Sequence, residues 1–238
     1  MNLILFQIII FIGFGIQALT GFGGSMIAMP LCIAVAGVEI SKPVITAMAL
    51  YTAVLVGFEQ RKNINQKEML KISVVMLVWM AVGVWLYKIV PMDFLKIIYG
   101  IIVVCIGLKK LLLPDMKNVP KSVMLLALSA AGIMQGMFIS GGCFLVIYAV
   151  GVLKDKQEFR GTISSVWCIL DIVLLISYYF DHSFTAPALT QTLIAIIPAT
   201  LATFIGALIA RKIKQQTFLF ISYILLVISG IVLLLTSF

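Results

Sequence analysis

Apolar residues in this chain run on for about 20 positions at a time, broken by short polar stretches, instead of alternating with polar residues at strand or surface-helix spacing. A helix of about 20 apolar residues is long enough to cross the hydrocarbon of a bilayer. The runs divide the chain into ten segments, at 3–22, 25–38, 42–58, 70–90, 93–113, 121–140, 143–153, 160–180, 187–210 and 217–237. Eight have spanning length. The segments 25–38 and 143–153 are short and follow the pairs Gly23-Gly24 and Gly141-Gly142, which marks them as half-helices or re-entrant segments. The expected fold is an all-α integral membrane protein.

The two short segments hold corresponding places in the two halves, and the halves align. At an offset of 118, Gln17 matches Gln135, Gly23-Gly24 matches Gly141-Gly142, Ser25 matches Cys143, Lys42 matches Arg160 and Thr46 matches Ser164. After extra residues near Asp181-His182-Ser183 the offset becomes 123, pairing Gly83 with Gly206, Lys88 with Arg211 and Gly107 with Gly230. The pattern predicts a five-plus-five repeat, with a first unit over 1–113, a linker over 114–120 and a second unit over 121–238.

Charge then orients the segments. The chain carries 17 Lys and Arg against 9 Asp and Glu in 238 residues, but the basic residues lie between apolar runs, which is membrane topology and not a nucleic-acid face. With the loops 59–71, 109–121, 154–160 and 211–214 in the cytoplasm, all basic residues except Lys42, Lys88 and Lys96 are inside. Both termini are then outside, and segments 3–22 and 121–140 run in opposite directions. The repeat is expected to be inverted, in a multi-pass protein of the cell's inner (plasma) membrane. Composition agrees, since 63% of residues are hydrophobic and 11% charged, which excludes a water-soluble globule. The cysteines Cys32, Cys105, Cys143 and Cys168 lie in apolar runs without metal-ligand spacing, so no metal and no disulfide framework is expected. The first segment lacks the basic start and small-residue cleavage site of a signal peptide and is expected to be retained.

Inverted repeats with interrupted helices are the architecture of secondary transporters, with substrate bound near the midplane where the repeats meet. Glycine permits a turn there, and a helix beginning after the turn aims its positive end at the same place. Two such turns facing each other make an anion site without a buried cation. The expected substrate-binding residues are Gln17, Thr20, Gly23, Gly24 and Ser25 from the first copy and Gln135, Ser140, Gly141, Gly142 and Cys143 from the second. Close helix packing is the competing reading of each glycine pair, and a small buried residue is that of Cys143. Asp171 is the acidic residue in the middle of an apolar segment, where a carboxyl is costly and marks a proton path by default. Its repeat mate is Ala53, and the competing reading is a structural hydrogen bond. Lys42 and Arg160 are expected to steer anions into opposite vestibules or to anchor helices at the interface. Pro30 and Pro198 are expected to kink or end their helices.

The stretch from Gly13 through Gln17, Thr20, Gly21 and Gly23-Gly24 to Pro30, repeated as Gly132 through Gln135 and Ser140 to Gly141-Gly142, resembles the TSUP family, also called TauE/SafE or sulfite exporters. The second copy has Ile139 in place of Gly21 and Tyr148 in place of Pro30. The resemblance implies transport of small sulfur-containing anions such as sulfite, sulfonates or sulfoacetate. No Walker motif indicates ATP use, and no cofactor is expected. The implied partners are the anionic substrate, the lipid bilayer and protons, and no feature specifies an oligomeric state. The alternatives are a carrier for an amino acid or metal cation, a passive anion channel, and an intramembrane enzyme. The last would rest on His182, which lies in a predicted outer loop.

Overall fold

The computed structural model describes residues 3–89, 97, 101, 104–105, 108, 111, 120–153 and 155–235. Among them the regular structure is helical: α1 (Leu3–Thr20), α2 (Gly24–Ala36), α3 (Val38–Glu59), α4 (Gln66–Ile89), α5 (Lys121–Phe138), α6 (Gly142–Val152), α7 (Lys156–Phe180), α8 (Ala186–Lys212) and α9 (Gln215–Leu235). Segment 93–113 and the linker 114–120 fall almost entirely outside the described residues. Among the described residues six helices, α1, α3, α4, α5, α7 and α8, are long and apolar enough to cross a membrane. At 1.5 Å per residue, the 13 residues of α2 and the 11 of α6 reach only about 20 and 16 Å, short of a core of about 30 Å. The half-helices are therefore present where the glycine pairs predict them.

Two helix starts differ from the sequence reading. Gly37, with φ 79 and ψ 166, breaks the chain alone, so α3 begins at Val38 and not near Pro43. The polar residues Glu39 and Ser41, taken as loop, form its first turn, where an acidic side chain suits the positive helix end. Helix α7 begins at Lys156 instead of 160, because the Asp155 side chain accepts from the Gln157 and Glu158 amides and caps it there. Nor does a helix end at either internal proline: α2 continues past position 30 to Ala36, and α8 continues through Pro198.

The packing pairs helices across the two halves. Helix α1 lies on α8, α4 lies on α5, and α3 crosses against α7 at the centre. The first two interfaces are close enough to need glycine. A methyl group on Gly206 would collide with the Gly15 carbonyl oxygen, and one on Gly83 with the Ile133 carbonyl oxygen. These are matched positions, since Gly206 pairs with Gly83 at the offset of 123 and Ile133 pairs with Gly15 at 118. Gly206→Ala and Gly83→Ala should each destabilise the protein by about 1–3 kcal/mol through overpacking. Thermal unfolding in detergent checks this, and an unchanged midpoint in both would contradict the packing.

The inner positions are filled by Phe6, Ile10, Phe14, Ile45, Met48, Ile72, Met76, Leu128, Ile163 and Leu170. On the outside, Ile4, Phe58, Leu126, Leu193, Ile197 and Phe204 are all exposed. An apolar surface of that extent is a face for lipid. At one end of the bundle, Asn63 and Asn65 donate to Gln157 and Glu158, and the Lys156 ammonium donates to the Ala210 and Ile213 carbonyls that end α8. Those contacts gather Arg61, Lys156, Arg160, Arg211 and Lys212 at a single end.

Candidate functional site

The turn between α1 and α2 is made by glycine. Gly21 (φ 85) and Gly23 (φ 81) are left-handed, and α2 starts at Gly24 with no side chain capping it. In the second copy, α5 ends at Phe138, Ile139 takes φ 55, and α6 starts at Gly142, also without a side-chain cap. Ile139 is the repeat mate of Gly21, so the second turn keeps its left-handed residue although a β-branched side chain disfavours it. The substitution therefore leaves the entry into the turn unchanged.

Hydroxyls stitch both turns. Thr20 Oγ1 lies 2.6 Å from the Phe22 carbonyl oxygen and 2.8 Å from that of Ile16. Ser140 Oγ donates to the Phe138 carbonyl at 2.9 Å. Ser140 is the repeat mate of Phe22, and Phe138 of Thr20, so the same two positions are bridged with donor and acceptor exchanged. Thr20 and Ser140, expected at the substrate, spend these bonds within their own turns.

The two turns meet. A methyl on Gly142 would lie 3.4 Å from Phe22 Cβ and 3.5 Å from the Gly23 nitrogen. Between them is a cavity lined by six of the expected residues, Gln17, Gly23, Ser25, Gln135, Gly142 and Asp171, together with Phe22, Met26, Ala49 and Trp167. The volume open to a water centre is about 10 Å³, room for roughly one water molecule. Gly24 is packed behind it, where an added Cβ would meet the Gly13 carbonyl at 2.5 Å, and Gly141 is packed likewise on the Ala131 carbonyl. The side chain of Cys143 lies outside the described ones.

The two glutamines occupy matching positions with different partners. Gln17 Nε2 donates to the Ala49 carbonyl at 3.2 Å. Gln135 Nε2 donates to Asp171 Oδ1 at 3.0 Å, while its Oε1 accepts from the Gly141 amide at 3.1 Å. Asp171 is 1% exposed. Its carboxyl is thus tied through one amide side chain to the backbone that opens α6.

Helix α7 braces the first turn. Trp167 Nε1 donates to the Gly21 carbonyl at 2.9 Å. Arg160, only 2% exposed, donates from Nε and Nη2 to the Ala18 carbonyl at 3.1 and 2.7 Å, and from Nη2 to Glu59 Oε2 at 3.4 Å. The structure thus holds a buried cation near the turns, which the sequence reading did not expect, and places Arg160 inside the protein instead of at an open vestibule. Lys42 is half-buried with its ammonium 3.4 Å from the Tyr87 ring centroid, and it lines a cavity of about 480 Å³ at the other end of α3. Trp167 and Glu59 were missed because neither stands near the glycine motif in sequence. Trp167 carried one weak signal, its place one turn before Asp171 on the same helix.

Several apolar spans, two half-helices that start head to head in the interior, and polar side chains converging on their starts make this chain a multi-pass membrane transporter. A family model described as "Sulfite exporter TauE/SafE" matches residues 5–233, and the chain belongs to that family. No curated protein and no solved structure matches it.

Proposed function

We propose that this protein is a secondary transporter for small sulfur-containing anions (sulfite, sulfonates or sulfoacetate) that works by alternating access around the paired turns and couples transport to protons through Asp171. The observation that carries the reading is the junction of two helix starts whose N-cap residues are glycines, at Gly23–Gly24 and Gly141–Gly142, with Gln17, Ser25 and Gln135 alongside. Peptide N–H groups and two helix dipoles favour an anion there. An anion of sulfite's size needs more room than one water, so it enters only when the helices around the turns move. That closed interior favours a carrier over an open channel.

An inverted repeat supports the same reading. The interfaces of α1 with α8 and of α5 with α4 exchange under the repeat, as do the Gly206–Gly15 and Gly83–Ile133 contacts. The basic end, bearing Arg61, Lys156, Arg160, Arg211 and Lys212, is assigned to the cytoplasm by the excess of positive charge. Asp171 has no counterpart in the first half, where Ala53 stands, and one proton carrier suffices for one coupled proton.

The test is uptake of labelled sulfite and sulfoacetate into proteoliposomes with and without an imposed pH gradient. Uptake of either that saturates and follows the gradient is expected. Absence of flux for both would overturn the substrate class, and saturable flux indifferent to the gradient would overturn the coupling.

A further inference from the structure

We infer that Arg160 with Glu59 at one end of α3, and Lys42 with Gly136 at the other, are the two gates of the transport path, and that they close in alternation. The inference rests on the inverted-repeat reading, whose consequence is that each half must reproduce the other's closed arrangement at the opposite end. Lys42 and Glu59 are 17 residues apart on α3, so the two ends are separated by about 25 Å.

At the basic end the arrangement is closed. Arg160 is buried and bridges the Ala18 carbonyl near the end of α1 to Glu59, which also accepts from Arg211 Nε at 2.9 Å. A cation on the last carbonyls of a helix suits its negative end. The offset of 118 carries Arg160 to Lys42, Ala18 to Gly136 and Glu59 to Ser177. All three of these mates line the 480 Å³ cavity. The residues that form the clamp in one half surround open space in the other.

The open end also lacks the bonds its partner has made. Gly136 is among the last four residues of α5, whose carbonyls have no acceptor role inside the helix. The Lys42 ammonium stands over the Tyr87 ring, with the Asp181 carboxylate acting on it through space across the same cavity but outside ion-pair distance. In the alternate state Lys42 takes the Gly136 carbonyl as Arg160 takes that of Ala18, the cavity closes, and the Arg160 clamp opens a matching cavity at the basic end. The asymmetry between a guanidinium bonded at once to a carbonyl and to a carboxylate, and an ammonium whose carboxylate stays outside ion-pair distance, explains why this state is the one closed at the Arg160 end.

The test needs no substrate. Ser177→Cys is introduced into the full-length protein in cells, and its labelling by a membrane-impermeant maleimide added outside is measured against the parent carrying only its native cysteines. Fast labelling is expected. It should fall about threefold or more in Glu59→Gln, and likewise in Arg160→Lys combined with Lys42→Arg, which exchanges the two cations, since losing one charge-assisted bond shifts a two-state equilibrium by roughly 5- to 30-fold. The exchanged pair keeps the count of buried charges, so it reports even if Glu59→Gln does not fold. No labelling of Ser177→Cys from outside, or labelling unchanged in the variants that elute as monodisperse protein, would overturn the inference. A labelling response without sulfite or sulfoacetate flux would leave the gates standing and reject the substrate.

Discussion

Asp171→Asn will bring gradient-driven sulfite uptake down to the rate of protein-free liposomes while leaving the protein folded. Asparagine has the size of aspartate and keeps an oxygen where Gln135 Nε2 now donates at 3.0 Å, so the link from α7 to the start of α6 survives. What is lost is the group that can take up and release a proton. A carboxyl that is 1% exposed has a large cost of ionisation, which the protein can turn to use only if the site is reached by water or substrate during the cycle. The measurement is initial uptake at several imposed pH gradients, together with the melting midpoint in detergent. Equal flux in mutant and wild type at every gradient would give Asp171 a structural role and make the protein a uniporter.

The second large effect separates packing from binding at the two glycine pairs. Gly24→Val should destabilise the protein strongly and abolish transport. Its Cβ would sit 2.5 Å from the Gly13 carbonyl oxygen and 2.6 Å from Gln17 Cβ, so α1 and α2 must part before the side chain fits. The packing makes Gly24 the harsher of the two sites. At Gly142 a methyl meets Phe22 and the Gly23 nitrogen at 3.4 to 3.5 Å, ordinary contact. Gly142→Ala should therefore keep the melting midpoint and still lose uptake, because the methyl stands between the two helix starts. Normal flux in Gly142→Ala would remove the turns from the substrate path.

Much of this was legible in the amino-acid order because it depends on local chemistry. Run length sets which segments can span, and glycine sets where the chain turns, so the half-helices at Gly24–Ala36 and Gly142–Val152 appear where the glycine pairs place them. The family follows from the same motif and its second copy. Even so, local polarity misplaced the start of α3, because Glu39 and Ser41 look like loop residues and one glycine was enough to break the chain.

The partners of the polar groups were decided only by the tertiary structure. Gln17, Gln135 and Asp171 line the cavity as their types suggested, yet their amides are committed to Ala49 and Asp171, 32 and 36 residues away. Thr20 and Ser140 turned inward to hold their own loops. Arg160 reads as an interfacial cation in sequence, but it is buried because Ala18, 142 residues earlier, offers a carbonyl at a helix end and Glu59 a carboxylate. A hydrogen-bonding side chain in a membrane protein takes whatever partner the packing brings near it, since none is available from lipid. Residue type thus determined which groups must be satisfied, and only the crossing of α1, α3, α5 and α7 decided by which partner.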